Sequence, residues 1–229
     1  MCKKIIESNY SRIQQSIAAA AEKCGRQPGD IKLIAVTKTV GWPEANVLYD
    51  MGQRDFGENR LHQAFEKMAV APQDCAWHLI GTLQSNKVAK AIGHFPLIHS
   101  VDSLALAQKI SQQSQKANLT TSILLQVNTS GEISKHGMTP QECRHNFEQI
   151  AQLPALSIQG LMTMAPFSSD EKLVRSCFAG LRQLRDALRV VSNHQKLLPH
   201  LSMGMSHDFQ WAIAEGATIV RIGTALFSP

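Results

Sequence analysis

Two features of this 229-residue sequence point to chemistry beyond core building. The first is Lys38, which closes the apolar run IKLIAVT (31–37). An ammonium beside a core strand costs free energy unless it is paired or neutralised. Desolvation favours the neutral amine of a lysine, and that form is the nucleophile in imine formation. The alternative is a lysine whose stem lies along the strand while its head reaches solvent. The second feature is a pair of Gly/Ser-rich stretches, SMGMS (202–206) and RIGTA (221–225). Small residues there expose backbone N–H groups, and a helix N-terminus favours an anion. A reactive amine near an anion cradle describes a site for a phosphorylated aldehyde. The cradle alone would suit many phosphorylated metabolites.

The elements that must bring these features together follow from hydrophobic periodicity. Residues 3–23 read as an amphipathic helix with Ile5, Ile6, Ile13 and Ile17 on one face. Short apolar runs then alternate with amphipathic stretches. Strands are predicted at 31–38, 54–59, 77–81, 96–100, 121–128, 156–163, 200–203 and 218–223. Helices are predicted from Pro43 to Gly52, over 60–70, 84–92, 102–116 and 140–152, from Ser168 to Val191, and over 207–215. Asp102 is the expected N-cap of one helix, and Ser168 with Glu171 the expected capping box of another. That second helix is expected to bury Leu173, Cys177, Leu181, Leu184 and Leu188. Eight strands joined by helical crossovers imply parallel pairing. An open doubly wound sheet is one solution. The repeat count in so short a chain favours a single (β/α)8 TIM barrel of α/β class, with an extra N-terminal helix and one domain spanning 1–229.

In such a barrel, function sits at the C-terminal strand ends, and phosphate is commonly held after strands seven and eight. The residues so placed are Lys38, Glu58 and Asn59, His78 to Gly81, Asn128, Met162 to Met164, Ser202 to Ser206, and Arg221 to Thr224. Strands one and eight adjoin when the barrel closes, which would bring Lys38 beside the cradle.

Composition removes other classes. The five cysteines are odd in number and widely spaced, which speaks against a disulfide framework or a zinc ribbon. No HExxH or clustered histidine spacing suggests a metal site. No apolar run is long enough for a transmembrane helix, and no secretory signal is evident. The expectation is a cytoplasmic protein without membrane contact. The net charge is +5. Arg175, Arg182, Arg185 and Arg189 form a helical stripe, expected to be a solvated outer face and not a nucleic-acid surface, because no aromatics interleave. No dinucleotide fingerprint, P-loop or GxSxG is present.

Eight ordered segments go further. They are AVTKT (35–39), FGEN (56–59), WHLIGTLQSNK (77–87), HSVDS (99–103), QVNTSGEISKHG (126–137), GLMTMAP (160–166), LSMGMS (201–206) and VRIGTALF (220–227). Together the chain resembles the YggS/PROSC family of pyridoxal 5′-phosphate (PLP) homeostasis proteins, related in fold to the N-terminal barrel of alanine racemase. The resemblance implies a barrel-only version of PLP fold type III. It implies PLP held as a Schiff base on Lys38, phosphate contacts from Ser202 or Ser206 with Gly223 and Thr224, Arg221 against the pyridine nitrogen, and Asn59 near the ring. His78 is placed less surely. A guanidinium stays charged and only donates hydrogen bonds, so it would leave that nitrogen unprotonated and the ring a weaker electron sink.

The resemblance therefore implies a non-catalytic PLP carrier, a monomer that passes cofactor to PLP-requiring apoenzymes. The alternative is a PLP-dependent amino-acid racemase or lyase, which would need an acid/base facing Lys38. The chain has two tyrosines, Tyr10 and Tyr49, both in predicted helices, and it stops soon after strand eight. A third reading is a nucleic-acid or protein-binding module using the arginine stripe. Departures from the family pattern fall at Arg60, where Tyr is usual, and at His207 to Trp211, where two acidic residues and then Met-Glu-Ala are usual. The tail also ends early, at Phe227-Ser228-Pro229. These alter the rim of the expected site and leave Lys38 and the cradle in place.

Overall fold

The computed structural model describes residues 3–132, 135–191 and 198–228. Eight parallel strands close into a barrel in sequence order: β1 (Lys32–Val36), β2 (Asp55–Glu58), β3 (Ala76–Leu79), β4 (Leu97–Val101), β5 (Thr121–Gln126), β6 (Leu156–Met162), β7 (His200–Ser202) and β8 (Ile219–Ile222). The closing pair runs Lys32 to Ile219 through Ala35 to Ile222. The open-sheet alternative is thereby excluded. All eight expected strands exist. β1 is shorter than expected and leaves Thr37 and Lys38 beyond its end.

Helices α1 (Lys3–Lys23), α2 (Trp42–Asp50), α3 (Leu61–Met68), α4 (Val88–Ala91), α5 (Leu104–Lys116), α6 (Pro140–Ala151), α7 (Glu171–Val191), α8 (Phe209–Ala214) and α9 (Thr224–Phe227) are named in chain order. Between β3 and β4 the expected helix is only a 3₁₀ turn, Ser85–Lys87, followed by the single turn α4. The extra helix α1 packs across α2, α8 and α9 through buried Ile6, Ile13 and Ile17. Asn9 fastens it to the chain end by donating to the Leu226 and Ser228 carbonyls.

Two caps differ from expectation. Ser103, not Asp102, accepts the amide of Leu106 at the start of α5. Asp170, not Ser168, accepts the amides of Lys172 and Leu173 ahead of α7, because Ser168 instead receives the amide of Asp170. On α7 Leu173 is exposed, and Val174 and Phe178 join Cys177, Leu181, Leu184 and Leu188 on the buried face. The arginine stripe is not a free outer face. Arg175 and Arg182 both grip Glu215, just past α8, and Arg189 donates to the Leu198 carbonyl.

The core has two layers. Most buried apolar side chains lie between strands and helices. Ile34, Leu97, Leu124, Met162 and Ile219 form a separate plug inside the barrel. Branched apolar residues usually fill such an interior. Here they share it with buried His78, His99, Ser202 and Arg221.

Candidate functional site

A cavity of about 920 Å³ opens at the C-terminal ends of the strands. That volume lies in the range of small-molecule and cofactor sites, roughly 300–1,000 Å³. Of the residues expected to form the site, Lys38, Asn59, Ser206, Arg221, Gly223 and Thr224 all line it.

Lys38 stands in the turn after β1, with its side chain exposed to the cavity mouth. The costly burial expected of it falls on a different lysine. Lys67 of α3 is buried; its ammonium pairs with Glu58 and donates to the Thr37 carbonyl at 2.7 Å. The Thr37 hydroxyl donates to the same Glu58 oxygen at 2.6 Å. Glu58, Lys67 and Thr37 thus form a buried buttress under the residue that carries Lys38. Lys67 escaped the sequence reading because a lysine in a short amphipathic helix looks solvated. Its one signal is that Glu58 closes a strand, where a buried carboxylate needs a cation from somewhere in the fold.

The cradle joins two loops. The Ser206 hydroxyl, after β7, accepts the amide of Ala225, after β8, at 3.2 Å. The Arg221 amide donates to the Gly204 carbonyl at 3.0 Å. Gly204 has φ +94°, and a Cβ there would lie 2.6 Å from the Cβ of Ala212. Only glycine makes that turn. A Cβ on Gly223 would press to 3.0 Å from the Val36 carbonyl, on the strand that carries Lys38.

Ser202 does not line the cavity. It is fully buried, and its hydroxyl sits between Arg221 and His99. Of the two serines offered for the phosphate, the one that lines the cavity is therefore Ser206. His78 also lies off the cavity, hydrogen-bonded to His99 and Asp55 inside the barrel. Asn128 turns its side chain onto its own loop, donating to the Glu132 and Lys135 carbonyls.

Arg221 forms the cavity floor. It donates from Nη1 to Ser202 Oγ at 2.6 Å and from Nη2 to the Thr163 carbonyl at 2.9 Å. Burial pushes its guanidinium down to about 10, with Asp208 acting in the opposite direction. It therefore stays charged at neutral pH.

The electrostatics have one sign. Lys38, Arg60, Lys87, Lys90 and Arg221 line the cavity, and no carboxylate does among the described residues. The rim departures sit here. Arg60 is exposed at the mouth, and His207 packs edge-on against the exposed Phe167, ring centroids 4.7 Å apart. No cluster of three potential metal ligands occurs among the described residues. The cavity is suited to an anion with a carbonyl carbon within reach of Lys38 and a hydrogen-bond acceptor toward Arg221.

The family model for the alanine racemase N-terminal domain matches residues 8–229. The chain belongs to this family. Within the alanine racemase N-terminal domain family, it is 43% identical over 218 residues to a pyridoxal phosphate homeostasis protein of Aquifex aeolicus, covering 95% of each chain. It superposes on PipY of Synechococcus elongatus, solved with PLP bound, with a TM-score of 0.81 at 39% identity, covering 93% of this chain and 100% of that one. Alanine racemase of Clostridium difficile shares only the fold, with a TM-score of 0.80 at 15% identity; the match covers 98% of this chain and 56% of that one.

Proposed function

We propose that this chain is a PLP-binding homeostasis protein, a single-domain monomer that holds the cofactor reversibly and passes it to PLP-requiring apoenzymes. The observation that carries the reading is one acid-free cavity that joins Lys38, the Ser206–Gly223–Thr224 cradle and Arg221. PLP-binding PipY adds support at 39% identity. When bound, PLP would supply an aldehyde for imine chemistry with the Lys38 amine, water being the leaving group. Ser206, Gly223 and Thr224 would hold the phosphate, Asn59 would lie near the ring, and Arg221 would offer a donor to the ring nitrogen. The Thr37–Glu58–Lys67 buttress fixes where the amine stands. Catalytic turnover is not expected. Neither tyrosine serves as an acid/base: Tyr10 is bonded to Gln53 and Tyr49 to Asp74, both away from the cavity.

The working compartment in this reading is the cytoplasm, supported by free Cys24, Cys75, Cys143 and Cys177; Cys2 lies outside the described residues. No helix among the described residues is long and apolar enough to cross a membrane.

The test is an absorbance spectrum of purified protein, loaded with PLP, before and after borohydride. The imine band is expected to vanish and the label to map to Lys38. Lys38→Ala is expected to lose the band and the label while keeping the wild-type fold, since Lys38 lies at the mouth and not in the barrel layers. Labelling of another lysine, or no band at all, would overturn the reading.

A further inference from the structure

Inside the barrel a line of polar groups runs from its base to the cavity floor. Asp55 opens β2 and accepts Lys32 Nζ at 2.8 Å. His78 Nε2 lies 2.9 Å from the same Asp55 oxygen. His78 Nδ1 lies 3.1 Å from His99 Nε2, and His99 Nδ1 lies 2.9 Å from Ser202 Oγ. Ser202 Oγ lies 2.6 Å from Arg221 Nη1.

The direction of every proton in this line follows from its two ends. A guanidinium only donates, so Ser202 accepts from Arg221; Asp55 only accepts, so a neutral His78 carries its proton on Nε2, and the Ser202 hydrogen is left for His99 Nδ1. His99 is then protonated on Nε2 and donates to His78 Nδ1. His78 in turn is protonated on Nε2 and donates to Asp55, which as a carboxylate only accepts. Each of the three intermediate groups accepts once and donates once, so none is left over. Burial weakens the basicity of His99 first, and the neighbouring His78 and Arg221 act in the same direction, so the ring stays neutral, as the line requires. For Asp55, burial acts upward, but the bonds from His78 and Lys32 outweigh it and hold it below the usual carboxylate range.

We propose that Asp55, His78, His99 and Ser202 form a one-way hydrogen-bond relay that positions Arg221, and through it sets the hydrogen bond to the acceptor bound on the cavity floor. Arg221 is buried with no carboxylate among the described residues bonded to it directly, and such a charge is costly unless its donors are satisfied. The relay supplies an oxygen polarised toward it by a chain of bonds ending in an anion, and bonds in such chains strengthen one another. With Ser202 and the Thr163 carbonyl fixing two donors, the rest of the fork is aimed at the ligand. The four residues never touch that ligand; they act through Arg221. A set of apolar side chains would fill the same space without fixing a proton. Under the reading above, the acceptor is the ring nitrogen of PLP, and the relay deepens that reading.

The first measurement needs no cofactor. In unloaded protein with ¹⁵N-labelled histidines at neutral pH, both His78 and His99 are expected as Nε2–H tautomers. An Nδ1–H tautomer or an imidazolium at either position overturns the relay. The second uses PLP labelled with ¹⁵N in the ring. Asp55→Leu and His99→Leu are expected to shift the ring-nitrogen resonance and to raise PLP dissociation about tenfold, as loss of outer-sphere partners does at metal sites. Asp55→Asn, which keeps an acceptor oxygen, is expected to stay near wild type. An unchanged resonance in folded Asp55→Leu overturns the proposal; Asp55 is partly exposed at the barrel base, whereas His99 is fully buried. If labelled PLP gives only its free signal with the wild-type protein, the cofactor reading fails, and the tautomers alone decide the relay.

Discussion

The buttress under Lys38 makes a strong demand on stability. Glu58 is fully buried; Thr37 and Lys67 both bond its Oε1, and its Oε2 has no hydrogen-bond partner among the described residues. Removing Lys67 leaves that carboxylate in the core without its cation. Breaking a buried pair from one side typically costs about 3–5 kcal/mol. Lys67→Met is therefore expected to lose about that much in urea unfolding. Replacing both partners, Glu58→Gln with Lys67→Met, is expected to recover most of it. The single variant should also bind PLP more weakly, because Lys67 holds the Thr37 carbonyl next to Lys38. A Lys67→Met protein as stable as wild type would show that Glu58 is not relying on that ammonium.

At the scale of elements, the eight strands were legible because most are short apolar runs bounded by turn residues, and the Lys38 cradle pairing followed from barrel closure. The misses share a cause: sequence identifies residue types one element at a time, whereas partners come from elsewhere. Ser103 and Asp170 lie within two residues of the expected caps, and only backbone geometry chooses among neighbouring oxygens. His99 stands mid-strand in LIHSV, and nothing local reveals that His78, on the adjoining β3, and Ser202, on β7, meet it inside the barrel. The arginine stripe was visible, but its partner Glu215 is 33 residues beyond Arg182. Because Glu215 holds two guanidiniums that join α7 to α8, Glu215→Ala is expected to cost about 1–2 kcal/mol, the sum of a few partly exposed charge-assisted bonds. High salt should shrink that difference. A variant that melts with wild type at low salt would mean that apolar contacts alone seat α7.

For the whole molecule, the buried histidines set a pH dependence. His99 is held well below the ordinary imidazole range, by burial first and then by His78 and Arg221. His200 is lowered by burial and then by Lys32 and His78. In the unfolded chain both titrate near about 6.5. Below that pH the unfolded state takes up protons that the folded state refuses, so folding stability must fall as pH falls. Each histidine contributes a slope of at most about 1.4 kcal/mol per pH unit in that window, and none once the pH rises well above it. Asp208 works the other way at the acid end, since burial raises its carboxyl and the folded state binds that proton first. Its effect starts closer to the carboxylate range and offsets only the lowest part of the curve. Unfolding free energies in urea are thus expected to be flat above neutrality and to drop by about 1 kcal/mol or more between neutral pH and the mid-fives. His99→Leu should remove the larger share of the slope, whatever it does to absolute stability. A wild-type curve that stays level through this window would mean that water reaches His99, and the neutral ring required between Ser202 and His78 would go with it.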